Sequence, residues 1–404
     1  MKHTFSFSLL TFILTVLVTS CDNESETVHT YSRPYYLSKD YPIYLDAGKI
    51  LTDIQVKPSV NPEAAFKIVS TDEYIFVGEM MKGVHVYKRT DLQHLSPLCF
   101  IECKYLKAFD VMNDHLYCNN FVDLLVVDVK NPLQAKVIHR EKEYFNRYRN
   151  SDWNINYITA YDTKLYEIGY KNVTLSGIET ETDPAPDFYE YDELYREIVT
   201  DEIPDSLRTG KPYVGFAGMS DMVCTFGYSA LAFCAYDSRG LIMVQSAVLD
   251  YPYYTNYPPF NIHYEDKMLY ATGENFINFY DINTQKQEIY YANSIKDASY
   301  MESQKAFWFF SGYGISGGRT TDGQYFTEYV NIPGVETMTC VDDHIITLGS
   351  RLEVYSAPSL EVVKKYTDIS GSCILKEGHL IITAGKQGVF IYDISDLKDI
   401  KLIP

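Results

Sequence analysis

Apolar residues in this chain fall into short runs of period two, each closed by an acidic or glycine-containing turn. That pattern predicts strands and hairpins, not helices. The closing phrase, GVFIYDISDLKDIKLIP, reads as strand, turn and strand. Looser copies stand at GVHVYKRTDLQHLSPL (83 to 98), DLLVVDVKNPLQAKVI (123 to 138), NFINFYDINTQKQEIYY (275 to 291) and RLEVYSAPSLEVVKKY (351 to 366). Ahead of most copies lies a second shared piece, two apolar segments around a polar turn: STDEYIFVG, MNDHLYCNN, YEDKMLYATG, VDDHIITLG and KEGHLIITAG. Together the halves predict about four strands per unit. The last apolar-aromatic strand recurs after 40 residues from Tyr87 to Val127, 75 from Tyr280 to Tyr355 and 37 from Tyr355 to Tyr392. A four-stranded unit repeated at about 40 residues predicts an all-β fold, a β-propeller of four-stranded blades. Helical solenoids are excluded by the period of two.

The phrases DLLVVDVKNPLQAKVI and GVFIYDISDLKDIKLI resemble the LVIVD-repeat family of secreted bacterial propeller proteins, whose units end in an apolar strand, Asp-Ile-Ser-Asp-Pro and a short final strand. The resemblance runs from about Ala65 to Pro404 and is degenerate in places, as at Ser356-Ala357-Pro358, where the Asp is lost. Between Val127 and Ala235 lie 108 residues, awkward for whole repeats. INYITAYDTKLYEIGY (155 to 170) could begin an extra blade, but the stretch from 178 to 205 carries eleven acids against Arg196 alone. Residues 142–210 therefore read as a long acidic insertion with one hairpin, giving seven blades, or eight if the extra blade forms.

The chain begins MKHTFSFSLLTFILTVLVTS. Lys2 precedes an apolar run from Phe5 to Val18, short for a membrane span, and residues 1–20 read as a secretory signal. Leu17-Val18-Thr19-Ser20-Cys21 resembles the lipobox of bacterial lipoproteins, which implies a lipidated Cys21 and anchorage to a membrane. The acidic run Asp22-Asn23-Glu24-Ser25-Glu26 is similar to a signal that places lipoproteins on the outer surface of some Gram-negative bacteria. In other lineages an Asp after the Cys is similar to an inner-membrane retention signal. The expectation is a lipid anchor in the bacterial outer membrane with the protein facing outward. Residues 21–60 then form the lipidated Cys and tether, and 61–404 the propeller.

Composition narrows the partners. The chain is 46% hydrophobic and 15% aromatic, ample for a large core, and its net charge of -19 repels a phosphate backbone, so nucleic acid is not an expected partner. Seven cysteines besides Cys21 lie in apolar segments without C-x-x-C spacing and read as buried small hydrophobes.

Catalytic motifs are weak. Gly312, Gly314 and Gly317 satisfy G-x-G-x-x-G, and Gly314, Ser316 and Gly318 satisfy G-x-S-x-G. Both patterns need a following helix, and TTDGQYFTEYV predicts a turn and a strand instead. His115, His344 and His379 recur at equivalent repeat positions, which do not converge in a ring, so no metal site is expected; no cofactor is expected either. Proline-broken tyrosine clusters stand out at Ser32 to Tyr36, Phe188 to Tyr191 and Tyr251 to Phe260. They read as connections at the ends or rim of the ring, because proline disfavours strand interiors. Exposed tyrosines stack on sugar or peptide, so Tyr253, Tyr254 and Tyr257 are the candidate ligand-binding residues. The reading is a non-catalytic surface propeller that binds a protein or glycan through loops. Two alternatives stay open: a carbohydrate-active hydrolase with paired carboxylates at the propeller mouth, and a structural subunit of an outer-membrane assembly.

Overall fold

The computed structural model describes Ser32–Asp46, residues 53–146, 165–180, 197–199 and 214–403, apart from 249–260, 321–328 and shorter connections. The chain divides into two compact units, residues 47–156 with 201–404, and residues 1–46 with 157–200.

The larger unit is an all-β propeller of seven blades. Their innermost strands are Ala65–Ser70, Phe109–Met112, Val214–Gly218, Asn261–Glu265, Ile295–Met301, Val335–Val341 and Cys373–Glu377, which define blades 1 to 7 in chain order. Four consecutive antiparallel strands run outward in each blade, and blade 1 adds a fifth, Gln55–Lys57, beside its outer strand Leu95–Glu102. The two middle strands of a blade are covered on both faces by neighbouring blades. They therefore read as continuous buried runs, as in Leu380–Gly385, and not as alternation. The outer strand is more open to solvent, as in Val362–Tyr366, where no residue is fully buried.

The repeated acidic turn has a physical cause. Asp128, Asp237 and Asp393 each end the third strand of a blade, and Asp281 directly follows one; they accept, at 3.1, 2.7, 2.8 and 2.8 Å for Asp128, Asp237, Asp281 and Asp393, the backbone N–H of the residue two places on. Such Asx turns fix the chain's reversal into the outer strand. The residue after the Asp is tied to the first hairpin of its blade: Val129 N–H donates to the Asp114 carbonyl and Ile394 N–H to the His379 carbonyl, 2.9 and 2.8 Å. Blade 6 lacks the Asp yet keeps the second link, from Ala357 N–H to Asp343. The glycine ending many of the hairpin pieces is also explained: a Cβ on Gly349 would sit 1.9 Å from the Gly334 carbonyl oxygen.

The core consists of one hydrophobic seam per blade pair rather than a single centre. Blades 1 and 2 meet through Phe76, Val86, Phe109 and Leu116, and blades 4 and 5 through an aromatic seam of Tyr270, Phe279, Tyr300 and Phe307. The ring closes between blades 7 and 1, where Ile68, Ile75 and Val77 pack on Leu380, Ile382 and Ile391. No strand is exchanged across this closure, since blade 7 is built from four consecutive C-terminal strands. Polar links reinforce it. Ser372 Oγ donates to the Ala65 carbonyl at 2.6 Å. Arg89 Nη1 donates to Glu377 Oε1 and Ser70 Oγ at 2.9 and 3.0 Å, with Nη2 2.8 Å from Glu377 Oε2.

In the smaller unit Ser32–Asp46 pairs antiparallel with Leu165–Thr180, from Ser32 opposite Thr180 to Asp46 opposite Leu165, and Glu197–Val199 lies parallel to Ile43–Leu45. Ser32 to Tyr36 thus belongs to a strand and not to a connection. Pro34 is tolerated because, among the described residues, only one edge of the strand is paired at that point. Tyr35 packs on Gly177, where a Cβ would lie 2.7 Å from its hydroxyl, and Arg33 forms an ion pair with Glu179.

Candidate functional site

The inner strands of the propeller surround a channel of about 820 Å³ to which all seven blades contribute. Its wall is set by one recurrent position. The third residue of the inner strand is Lys67 in blade 1, Phe216 in blade 3, His263 in blade 4, Asp297 in blade 5 and Thr337 in blade 6, and the second is Asp110 in blade 2; all six line the channel.

Two of these residues are inter-blade latches of the same design. Asp110 Oδ1 accepts from Val111 N–H at 2.8 Å while Oδ2 accepts from Gly218 N–H of blade 3 at 3.0 Å. Asp297 Oδ1 accepts from Ala298 N–H at 2.9 Å while Oδ2 accepts from Thr337 Oγ1 and Met338 N–H of blade 6 at 2.8 and 3.2 Å. Burial nonetheless pushes Asp297 up to about 6, outweighing those bonds. Lys67 spans three blades, its Nζ donating to Asp110 Oδ2 at 2.7 Å and to the Phe216 carbonyl at 2.9 Å. The His263 ring stacks on Tyr270 at 4.9 Å. Its Nε2 is sheltered without a hydrogen-bond partner among the described residues. Burial, aided by the Lys67 charge, pushes its pKa down to about 3, so the ring is neutral at pH 7.

Four lysines (67, 107, 296, 376) and four acids (110, 297, 336, 377) line the channel. The acids come from blades 2, 5, 6 and 7, the convergence that the hydrolase alternative requires. Three of the four are spent on holding blades together, Asp110 and Asp297 as latches and Glu377 on Arg89. Two buried acids elsewhere are likewise structural. Burial would raise Glu79, but bonds from His85 (2.7 Å) and Lys82 (2.8 Å) hold it below its ordinary value. Glu353 is lowered in the same manner by Tyr355, Lys365 and Arg351.

The glycine-rich pattern around Gly314 runs from a tight turn, with Ser311 paired to Gly314, into the third strand of blade 5, Gly314–Thr320, and among the described residues no helix follows. His115 and His344 open the second strands of blades 2 and 6, and His379 is exposed before that of blade 7. Among the described residues no group of three or more His, Cys, Asp and Glu could hold a metal. The candidate ligand residues Tyr253, Tyr254 and Tyr257, and the anchor Cys21, lie outside the described residues. Sequence reasoning did not single out the channel residues. The available signal was a polar residue interrupting the inner strand in FKIVS, FDVM, NIHYE and KDASYM, but its identity changes from blade to blade.

No family model matches the chain, and no curated protein matches it. Solved structures do share its architecture. BamB from Moraxella catarrhalis is similar at 8% identity and a TM-score of 0.48, over 88% of this chain and 97% of that one. A chain in the crystal structure of the mitotic checkpoint complex is similar at 10% identity and a TM-score of 0.50, over 84% and 90%. These are likenesses of fold alone.

Proposed function

We propose that this protein is a non-catalytic recognition propeller, tethered through a lipidated Cys21 to the outer face of a bacterial outer membrane and binding a protein or glycan through its loops. The observation that carries the reading is the engagement of the channel carboxylates: a hydrolytic pair needs two acids free to face a substrate, whereas Asp110, Asp297 and Glu377 are each bound to a neighbouring blade. The outer surface points the same way. Among the described residues Met243, Tyr291, Val362 and Leu402 are exposed one on the outer strand of each of four blades, whereas an obligate assembly surface calls for a contiguous apolar patch. The LVIVD-repeat resemblance rests on the quoted phrases and fits an exported binding propeller.

The test is a glycan and secreted-protein binding screen on the mature chain without Cys21, comparing wild type with a variant carrying Tyr253→Ala, Tyr254→Ala and Tyr257→Ala. Saturable binding lost in the folded triple variant is the expected result. Turnover of a bound glycan overturns the non-catalytic reading, and no binding by either form moves the weight to an assembly role.

A further inference from the structure

The chain as a whole is strongly acidic, at -19, yet its central channel is not. Asp110, Asp297 and Glu377 have their oxygens taken up by Lys67, by backbone amides and by Arg89. Lys107, Lys296 and Lys376 line the same channel with no carboxylate partner among the described residues, and the remaining lining acid is the exposed Glu336. Of these three lysines, Lys296 and Lys376 are exposed, and Lys296 Nζ lies 5.6 Å over the Phe310 ring. Lys107 is half-buried just ahead of the inner strand of blade 2, and burial with nothing opposite holds its amine below the ordinary lysine value. Deeper in, the sheltered Nε2 of His263 lacks a partner, and Phe66, Phe216 and Tyr264 supply apolar wall. The channel volume of about 820 Å³ lies within the range of about 300–1,000 Å³ for small-molecule pockets.

We propose that the central channel binds a small organic anion, carboxylate or phosphate, whose charged end is taken by Lys107 and whose body lies against the aromatic wall. An anion supplies the counter-charge that this half-buried amine lacks, in a place where desolvation strengthens the pairing. The site is separate from the loop surface of the preceding proposal and stands or falls without it.

The experiment is calorimetric titration of the mature chain with glucuronate and with inorganic phosphate, with glucose as the neutral comparator. Saturable binding of either anion at millimolar concentration, with none of glucose, is expected, and which anion binds separates a carboxylate from a phosphate source. Lys107→Met weakens the binding at least tenfold and Lys107→Arg keeps it. Lys401→Met, the same loss of charge on the outer strand of blade 7, leaves it unchanged. Should Lys107→Met not fold by circular dichroism, Lys107→Gln takes its place. No saturable heat with either anion, equal binding of glucose, or wild-type affinity in the folded Lys107→Met or Lys107→Gln variant overturns the proposal.

Discussion

Glu377→Ala tests how the ring is closed. Because blades 1 and 7 share no strand, their junction depends on the seam around Ile68 and Ile382 and on the few polar links across it. The Arg89 side chain is 3% exposed and that of Glu377 is 36% exposed. Removing one partner of a fully buried ion pair costs about 3–5 kcal/mol, chiefly through the orphaned charge. An unsatisfied buried donor costs about 1–3 kcal/mol. Glu377 is a third open to water, which can reach the guanidinium once the carboxylate is gone, so the loss should be about 2–3 kcal/mol. With a urea m-value of about 3 kcal/mol/M or more for a domain this large, the unfolding midpoint falls by up to about 1 M. The double variant Arg89→Leu with Glu377→Leu recovers most of the loss, since no charge is left buried. Arg239→Ala, which removes an exposed ion pair with Asp237, leaves the unfolding midpoint unchanged. A Glu377→Ala midpoint indistinguishable from wild type, or a double variant as unstable as the single one, refutes the argument.

Further outcomes follow from the same geometry. Asp393→Ala lowers the thermal midpoint while Asp393→Asn retains it, because an amide carbonyl can accept the same Ser395 N–H. Gly314→Ala, at φ +142 with a Cβ placed 2.0 Å from the Val330 carbonyl oxygen, costs more than about 1 kcal/mol in chemical denaturation. Two channel groups tilt stability in opposite directions with pH. Asp297, up to about 6 when folded against about 3.9 unfolded, contributes stability below pH 4 that is lost as pH rises through 6. His263, down to about 3 against about 6.5 unfolded, contributes stability above pH 6.5 that is lost as pH falls toward 3. Thermal midpoints across pH 4–6.5 therefore rise with pH in Asp297→Asn and fall with pH in His263→Phe, relative to wild type. Burial pushes Cys99 up to about 11 and also raises Cys224 and Cys373, while the contact with the Cys103 thiol, together with burial, raises Cys118, so a thiol reagent at pH 8 labels these four only after denaturant is added.

The repeat was legible because its cause is local. An Asx turn needs an Asp and the next two residues, and a middle strand covered on both faces needs an unbroken apolar run, so both leave their mark in a dozen consecutive positions. The channel was not legible because its cause is global. Lys67, Asp110 and the Phe216 carbonyl meet although they lie up to 149 residues apart, and the shared position holds Lys, Asp, Phe, His, Asp and Thr in blades 1 to 6. Ser32–Asp46 was hidden for a similar reason: its partner strand lies 148 positions away at the Ser32 end, inside the acidic insertion. No short-range signal in SRPYYLSKDYPIYLD announces that pairing. The candidate tyrosines were chosen for their proline spacing, a local cue to a connection that carries no information about what the connection faces.

The extra strand of blade 1 bears on how the propeller would respond to tension. A pull applied to the chain just ahead of Gln55 loads Gln55–Lys57, three residues paired to the rim and pinned by Lys57 to Glu102 at 2.6 Å. Strands loaded at one end separate one hydrogen bond at a time, so this segment would peel at low force and lengthen the chain before load reached the four-stranded blade behind it. It would act as a shock absorber for the ring.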